Sequence, residues 1–351
     1  MKNCTVIDLF CGAGALTHGF ILEGFNVAAG LDADKSCKYA YEKNNPGATF
    51  IEKRIEDVKA AELKQWYPED HVKILVGCAP CQPFSAYNKS RQNKDAKWKL
   101  LTNFSDLISE IKPDIVSMEN VPTLTTFRNG KVYRDFVNRL EKDYIVTECL
   151  RVSCLDYGIP QQRKRLVLFA SKPKNSKVEL LAPTHTPDKY KTVRDSISDL
   201  EPLEAGETSW NDPYHKAAGL SELNLRRIKA SKQGGTWEDW PEELVAQCHR
   251  QLSGNSYLSI YGRMALDAPS PTITTQCYGF GNGRFGHPTQ NRAISLREAA
   301  RLQTFPDDYE FVHPDEPHPL STISRFIGNA VPIELARVIA RSIKPNLQNV
   351  R

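Results

Sequence analysis

Several features are missing from this chain of 351 residues. No apolar run approaches the roughly 20 residues of a bilayer span, so no membrane helix is expected. The first ten residues place only Lys2 before a short apolar stretch and offer no small-residue cleavage site, so they read as a strand rather than an export signal. There is no internal repeat and no low-complexity tail. Strong charge bias is absent too: 46 Lys and Arg stand against 42 Asp and Glu, a net charge of +4. That balance permits an anionic partner without demanding one. The nine cysteines (Cys4, Cys11, Cys37, Cys78, Cys81, Cys149, Cys154, Cys248 and Cys277) are odd in number and scattered, which excludes a regular disulfide framework and suits reduced thiols in a cytoplasm.

What is present is the composition of a globular protein, 40% hydrophobic and 25% charged, long enough for one large domain or two unequal ones. The first half alternates strand and helix signals. Thr5–Phe10, Asn26–Leu31, Ile74–Val76, Ile115–Met118 and Arg165–Ala170 read as strands. Helical patterns fill Asp34–Asn44, Leu101–Ile111 and Val132–Lys142, and one follows the first strand as far as Gly24. This alternation predicts an α/β fold with a mainly parallel sheet covered on both faces. Ser171–Pro187, with three prolines, reads as a connector. From there to about Leu320 the chain is turn-rich, and a last helix is expected over Pro332–Ile343.

The first strand runs into Phe10-Cys11-Gly12-Ala13-Gly14, where backbone amides can approach a nucleotide-like ligand. A tight turn alone would also explain the glycines. Thr17 stands where a dinucleotide fingerprint has its third glycine, which weakens the pyrophosphate reading. Asp32, ending the second strand, can accept from both ribose hydroxyls of a dinucleotide or an adenosyl group alike.

A second loop, Gly77-Cys78-Ala79-Pro80-Cys81-Gln82-Pro83, leaves the end of the Ile74–Val76 strand, where open sheets place their ligands. Its prolines stiffen the backbone around Cys81. Taken alone, Cys81 is a nucleophile, a buried thiol, or half of a Cys78-x-x-Cys81 redox or metal pair. No second pair with ligand spacing accompanies it. Asn88–Lys99 then carries Lys89, Arg91, Lys94, Lys97 and Lys99 against Asp95 alone. That charge suits a lid closing on phosphates, or an ordinary exposed loop.

Pro80-Cys81-Gln82, Glu119-Asn120-Val121 and Gln161-x-Arg163-x-Arg165 together resemble the cytosine-5 DNA methyltransferases, of the bacterial restriction-modification type. Phe10-x-Gly12-x-Gly14 is similar to that family's first motif, and Gly328-Asn329-Ala330-Val331-Pro332 to its last. One tripeptide is weak evidence; five motifs in the family's order, spread over nearly the whole chain, are strong. The resemblance implies a Rossmann-like methyltransferase domain (1–180 plus 322–351) and a smaller irregular target-recognition domain (181–321). It implies S-adenosylmethionine as methyl donor, no metal, and double-stranded DNA as partner. A monomer in the cytoplasm is expected, with a cognate restriction endonuclease as a candidate companion.

By the same resemblance Cys81 adds to C6 of a flipped cytosine, Glu119 meets the ring, Arg165 meets its O2, and Arg163 lies near the nucleophile and DNA backbone. Phe10, Gly12, Gly14, Asp32, Leu100, Asn329 and Val331 would form the cofactor pocket. Ser85, Lys89 and Arg91 would meet DNA. Two positions depart from the family: Ala33 replaces a bulky apolar residue, and Arg54 replaces an acid, leaving the adenine amine to Asp57 or to backbone. In the variable region Trp210, Trp237, Trp240 and the Tyr278–Gly286 loop are recognition material or ordinary turns, with Arg284 a donor suited to guanine. Three rivals stand beside this reading: a tRNA methyltransferase of the same family, whose Cys-Phe-Thr signature is absent; a non-catalytic DNA-binding protein; and a nicotinamide-dependent oxidoreductase.

Overall fold

A computed structural model describes residues 3–80, 98–250 and 258–347. The strands are β1 (Cys4–Leu9), β2 (Val27–Asp32), β3 (Thr49–Glu52), β4 (Val72–Gly77), β5 (Ile115–Asn120), β6 (Ile145–Ser153) and β7 (Lys164–Ser171). The helices are α1 (Ala15–Leu22), α2 (Lys38–Asn44), α3 (Ala60–Lys64), α4 (Lys99–Ile111), α5 (Lys131–Leu140), α6 (Val193–Ile197), α7 (Glu222–Ala230), α8 (Leu296–Leu302), α9 (Leu320–Asn329) and α10 (Ile333–Leu347). Among the described residues no helix is long and apolar enough to cross a membrane.

The chain divides into two compact units: 1–157 with 164–184 and 330–351, and 158–163 with 185–329. The first unit holds one sheet, in the order β3-β2-β1-β4-β5-β7-β6. Strands β1 to β5 pair in parallel; β7 runs antiparallel between β5 and β6. The sheet is therefore mainly parallel, as the alternation predicts. Strands β1, β4 and β5 are short apolar runs because both faces are covered. Helix α4 buries Leu101, Phe104, Leu107, Ile108 and Ile111, a single stripe at helical spacing. At the other end of the chain α10 packs on α1, and Gly19 permits it: a Cβ there would stand 2.4 Å from that of Ala336. The second unit contains little regular structure beyond α6 to α9. Its apolar cluster comprises Ile228, Trp237, Trp240, Leu244, Phe280 and Ala293.

Strand order reverses between β1 and β4, which are parallel neighbours with Leu9 opposite Gly77. The loops after β1 and β4 thus emerge side by side at the sheet's carboxyl edge, the ligand-binding position of open α/β sheets. The close pairing leaves no room for a side chain at Gly77, where a Cβ would lie 2.8 Å from the Leu9 carbonyl oxygen.

Candidate active site

The root of the cysteine loop is tied down on two sides. Cys78 N donates to Leu9 O at 3.3 Å, and the buried Asn120 Nδ2 donates to Ala79 O at 3.0 Å. Asn120 Oδ1 in turn accepts from Val121 N at 2.9 Å. Asn120 therefore clamps the start of the loop to the end of β5. Cys81, Ser85, Lys89 and Arg91 lie outside the described residues.

Beside this root sits Glu119, with 3% of its surface exposed. It faces Val167 across the β5–β7 pair, so Arg165, two residues earlier on β7, shares its face of the sheet. Arg165 Nε lies 2.7 Å from Glu119 Oε1. The contact is one of charge rather than an aligned hydrogen bond, and Oε1 has no hydrogen bond among the described residues. Oε2 lies 2.7 Å from the Cys78 thiol, which donates to it. A carboxylate this deeply buried needs a charged partner, and Arg165 supplies it. Arg165 Nη1 also donates to Lys164 O at 2.8 Å, which fixes the guanidinium.

At the neighbouring end of β1 the backbone turns sharply. Phe10, Gly12 and Gly14 have φ of 62°, 51° and 94°, all left-handed. Nothing lies within 4 Å of where a Gly12 Cβ would be, so the space above it is open. Gly12 N donates to Asp32 Oδ2 and Asp34 N to Asp32 Oδ1, both at 2.9 Å. Burial pushes the Asp32 carboxyl up, against the pull of those amide hydrogen bonds. Each Asp32 oxygen holds one amide and keeps a lone pair, which fits a ribose diol above an open glycine turn. Phe10, Leu100, Ile51 and Val121 are half-buried on the same apolar cluster, and Val331 is buried before α10. The group these residues fit is a nucleoside, as in S-adenosylmethionine. Arg54 turns outward to Glu56, 2.8 Å away, and Asp57 is exposed.

Sequence reasoning gave no role to Asp8, quoted Asn120 only within Glu119-Asn120-Val121, and read Cys78 only as half of a pair with Cys81. Asp8 lies fully buried beneath the glycine turn and accepts from Thr17 Oγ1 at 2.8 Å. Burial lifts its carboxyl to about 7. Its only signal was an acid inside an apolar run, Val6-Ile7-Asp8-Leu9.

The second unit holds the remaining site residues. Arg163 is buried and donates from Nη1 to Ile273 O at 3.1 Å; Gln161 binds Ile273 N at 2.9 Å and Gln303 Oε1 at 2.8 Å. These side chains stitch irregular segments of that unit together. Asn329 is exposed at the end of α9. Arg284 Nη1 donates to the carbonyls of Gly234 and Gly235, tying two loops together. Trp237 and Trp240 are 8% and 6% exposed, so they are core rather than reading surface; Trp210 is 89% exposed. A cleft of about 370 Å³ in this unit is lined by Lys191, Asp195, Asp199 and Arg301 among others. It contains none of the expected site residues, and Arg301 there already pairs with Asp199 and Asp307.

A glycine turn, a ribose-type acid on the adjacent strand and a seven-stranded sheet with one antiparallel insertion define an α/β methyltransferase. The same fold occurs in a prophage-encoded E. coli protein described as a DNA modification methyltransferase, with a TM-score of 0.75, 22% identity and coverage of 99% of this chain and 100% of that one. It occurs also in the S. pombe Dnmt2 methyltransferase, with a TM-score of 0.62, 16% identity and coverage of 98% and 99%. The model of the C-5 cytosine-specific DNA methylases matches residues 4–345. The Type II methylase M.HgiDII of Herpetosiphon aurantiacus is 58% identical over 346 residues, 98% of this chain and 96% of that protein. The chain belongs to the C-5 cytosine-specific DNA methylase family, and it is a methyltransferase acting on DNA. Membership of that family implies S-adenosylmethionine as methyl donor.

Proposed function

We propose that this enzyme methylates C5 of a flipped cytosine in a specific duplex site through a covalent Cys81–C6 adduct. The observation that carries this is Glu119: a buried carboxyl beside the root of the Cys81 loop, with Arg165 on its face of the sheet and one oxygen without a hydrogen bond among the described residues. The Cys81 thiolate adds to C6, and the displaced electron pair moves toward C5 and N3. A proton held at Glu119 Oε1 would be given to N3 as that charge develops, which stabilises the adduct. Arg165, which lies against Glu119, would meet O2. Phe10, Gly12, Gly14, Asp32, Leu100 and Val331 would hold the cofactor, which when bound would supply an electrophilic methyl group to C5. Loss of the C5 proton to a base then expels the Cys81 thiolate and restores the aromatic ring. A cytosine stacked inside a duplex is out of reach of any side-chain nucleophile, so the base must leave the helix.

Arg163 would act near the nucleophile, and Ser85, Lys89 and Arg91 would contact backbone phosphates. The second unit, close to the 181–321 target-recognition domain that the resemblance implies, would read the target sequence. Relatives are named a Type II methylase and a Type II methyltransferase, which supports a restriction-modification role; in this reading the enzyme is a cytoplasmic monomer beside a companion endonuclease. The test is Cys81→Ser. Methyl transfer should be lost, S-adenosylmethionine binding kept, and the covalent complex that wild type forms with 5-fluorocytosine DNA should not appear. Full activity in the variant overturns the mechanism. Mapping 5-methylcytosine in DNA from expressing cells would give the target site.

A further inference from the structure

We infer that Cys78 is a positioning residue for Glu119: its thiol fixes the plane of the carboxyl group so that Oε1 is presented to the cytosine ring. The inference rests on the reading of Glu119 as the group that meets that ring. A terminal carboxyl torsion is broad and two-fold, so a carboxylate gripped at one oxygen can still turn. Among the described residues Arg165 Nε lies 2.7 Å from Oε1, and its N–H is not aligned on the oxygen. At Oε2 the Cys78 thiol donates directly, 2.7 Å away. A thiol is a weak donor to a neutral acceptor, and a charged acceptor strengthens the bond. Water can scarcely take its place, because Glu119 is 3% exposed.

The thiol is itself held. Cys78 N is bonded to Leu9 O, Gly77 is pressed against the same carbonyl, and Asn120 grips Ala79 on the other side. The segment leading to Cys81 therefore carries, three residues ahead of the nucleophile, the group that orients the nucleophile's partner. Cys78 is only partly buried.

The experiment is steady-state kinetics on duplex DNA with Cys78→Ala, Cys78→Ser, Glu119→Ala and the double variant Cys78→Ala/Glu119→Ala, with S-adenosylmethionine affinity as the folding control. Cys78→Ala should lower kcat about tenfold, the effect of losing one hydrogen bond of ordinary net strength, with both KM values within about twofold of wild type. Cys78→Ser, which keeps a donor, should recover most of kcat, and Cys78→Ala should cost nothing further once Glu119 is gone. Wild-type kcat in Cys78→Ala beside an inactive Glu119→Ala overturns the positioning role and leaves Glu119 catalytic. Equal impairment of the Ala and Ser variants assigns Cys78 to packing and also overturns it. Wild-type kcat in Glu119→Ala overturns the reading of Glu119 itself.

Discussion

In the first unit β1 is buried from Cys4 to Leu9, and α4 and α5 close over the sheet with aliphatic and aromatic side chains. In the second unit the largest fully buried side chain is Arg292, at 0% exposed. Its Nη1 and Nη2 donate to Glu298 Oε2 and Oε1 at 2.8 and 2.7 Å, and its Nε to Leu203 O at 3.1 Å. Arg263 donates to the carbonyls of His287 and Gln290, both at 2.8 Å, and Arg227 to that of Leu244 at 2.9 Å. The contrast follows from backbone hydrogen bonding. A sheet satisfies its own amides and carbonyls, so apolar side chains suffice to hold it. An irregular fold leaves carbonyls without partners, and arginine brings five donors in a fixed fork to meet them.

The sharpest way to break this comparison is Arg292→Met. It removes one partner of a buried pair and strands Glu298, which should cost about 3–5 kcal/mol. Urea unfolding of the variant measures it, with S-adenosylmethionine binding reporting on the first unit. A loss below about 1 kcal/mol would mean that the apolar cluster around Trp240 holds the second unit by itself.

Acid offers the next test. His287 Nδ1 accepts from the backbone N–H groups of Thr289 and Gln290 at 3.2 and 2.9 Å, which leaves the ring proton on Nε2, facing Glu298. Burial lowers the imidazole to about 4; Glu298 opposes this, and Arg292, Arg263 and His215 add to it. The folded form therefore resists a proton that the unfolded chain accepts near 6.5. Stability from this group is complete above about 6.5 and is lost as pH falls toward 4, by about 3 kcal/mol at most. Unfolding of the second unit followed by tryptophan fluorescence should begin in that window. A flat response from pH 7 to 4 would remove His287 from the account.

The same contrast explains what the sequence reveals. Strands with both faces covered announce themselves as apolar runs, so β1, β4, β5 and β7 were legible together with the loops that follow β1 and β4. The edge strands were not: β3 has four residues, and β6 alternates too weakly between exposed and half-buried positions to stand out. Glu119, Asp32 and Arg165 were legible because each sits in a motif at a strand end. Trp237 and Trp240 read equally as recognition material or ordinary turn because in a turn-rich segment a core tryptophan has the composition of a reading surface; the structure buries both. Cys78 was noticed only as half of a pair with Cys81; its partner Glu119 lies 41 residues away and is joined to it by the β4–β5 pairing.

The polar attachment of α10 to α1 lies near the surface of the first unit, and there the smallest effect is expected. Glu23 caps the end of α1 and meets Arg337, Arg341 and Lys344 of α10 at 2.9, 2.9 and 2.8 Å. Burial pushes its carboxyl up, but the hydrogen bonds from Arg341, Lys344 and Arg337 outweigh that and bring it to about 2. A depressed folded value stabilises above the ordinary 4.5 and is lost as pH falls toward 2, so this window lies below that of His287. The three cations are each about a third exposed, and solvent screens them. Glu23→Gln should therefore cost only about 1 kcal/mol at neutral pH in thermal unfolding, and less in high salt. The gap between variant and wild type should close by about pH 2. If it stays open there, the side chain is holding α1 to α10 by packing rather than by charge, and the first unit would owe even its surface helix contact to shape, as Gly19 and Ala336 already suggest.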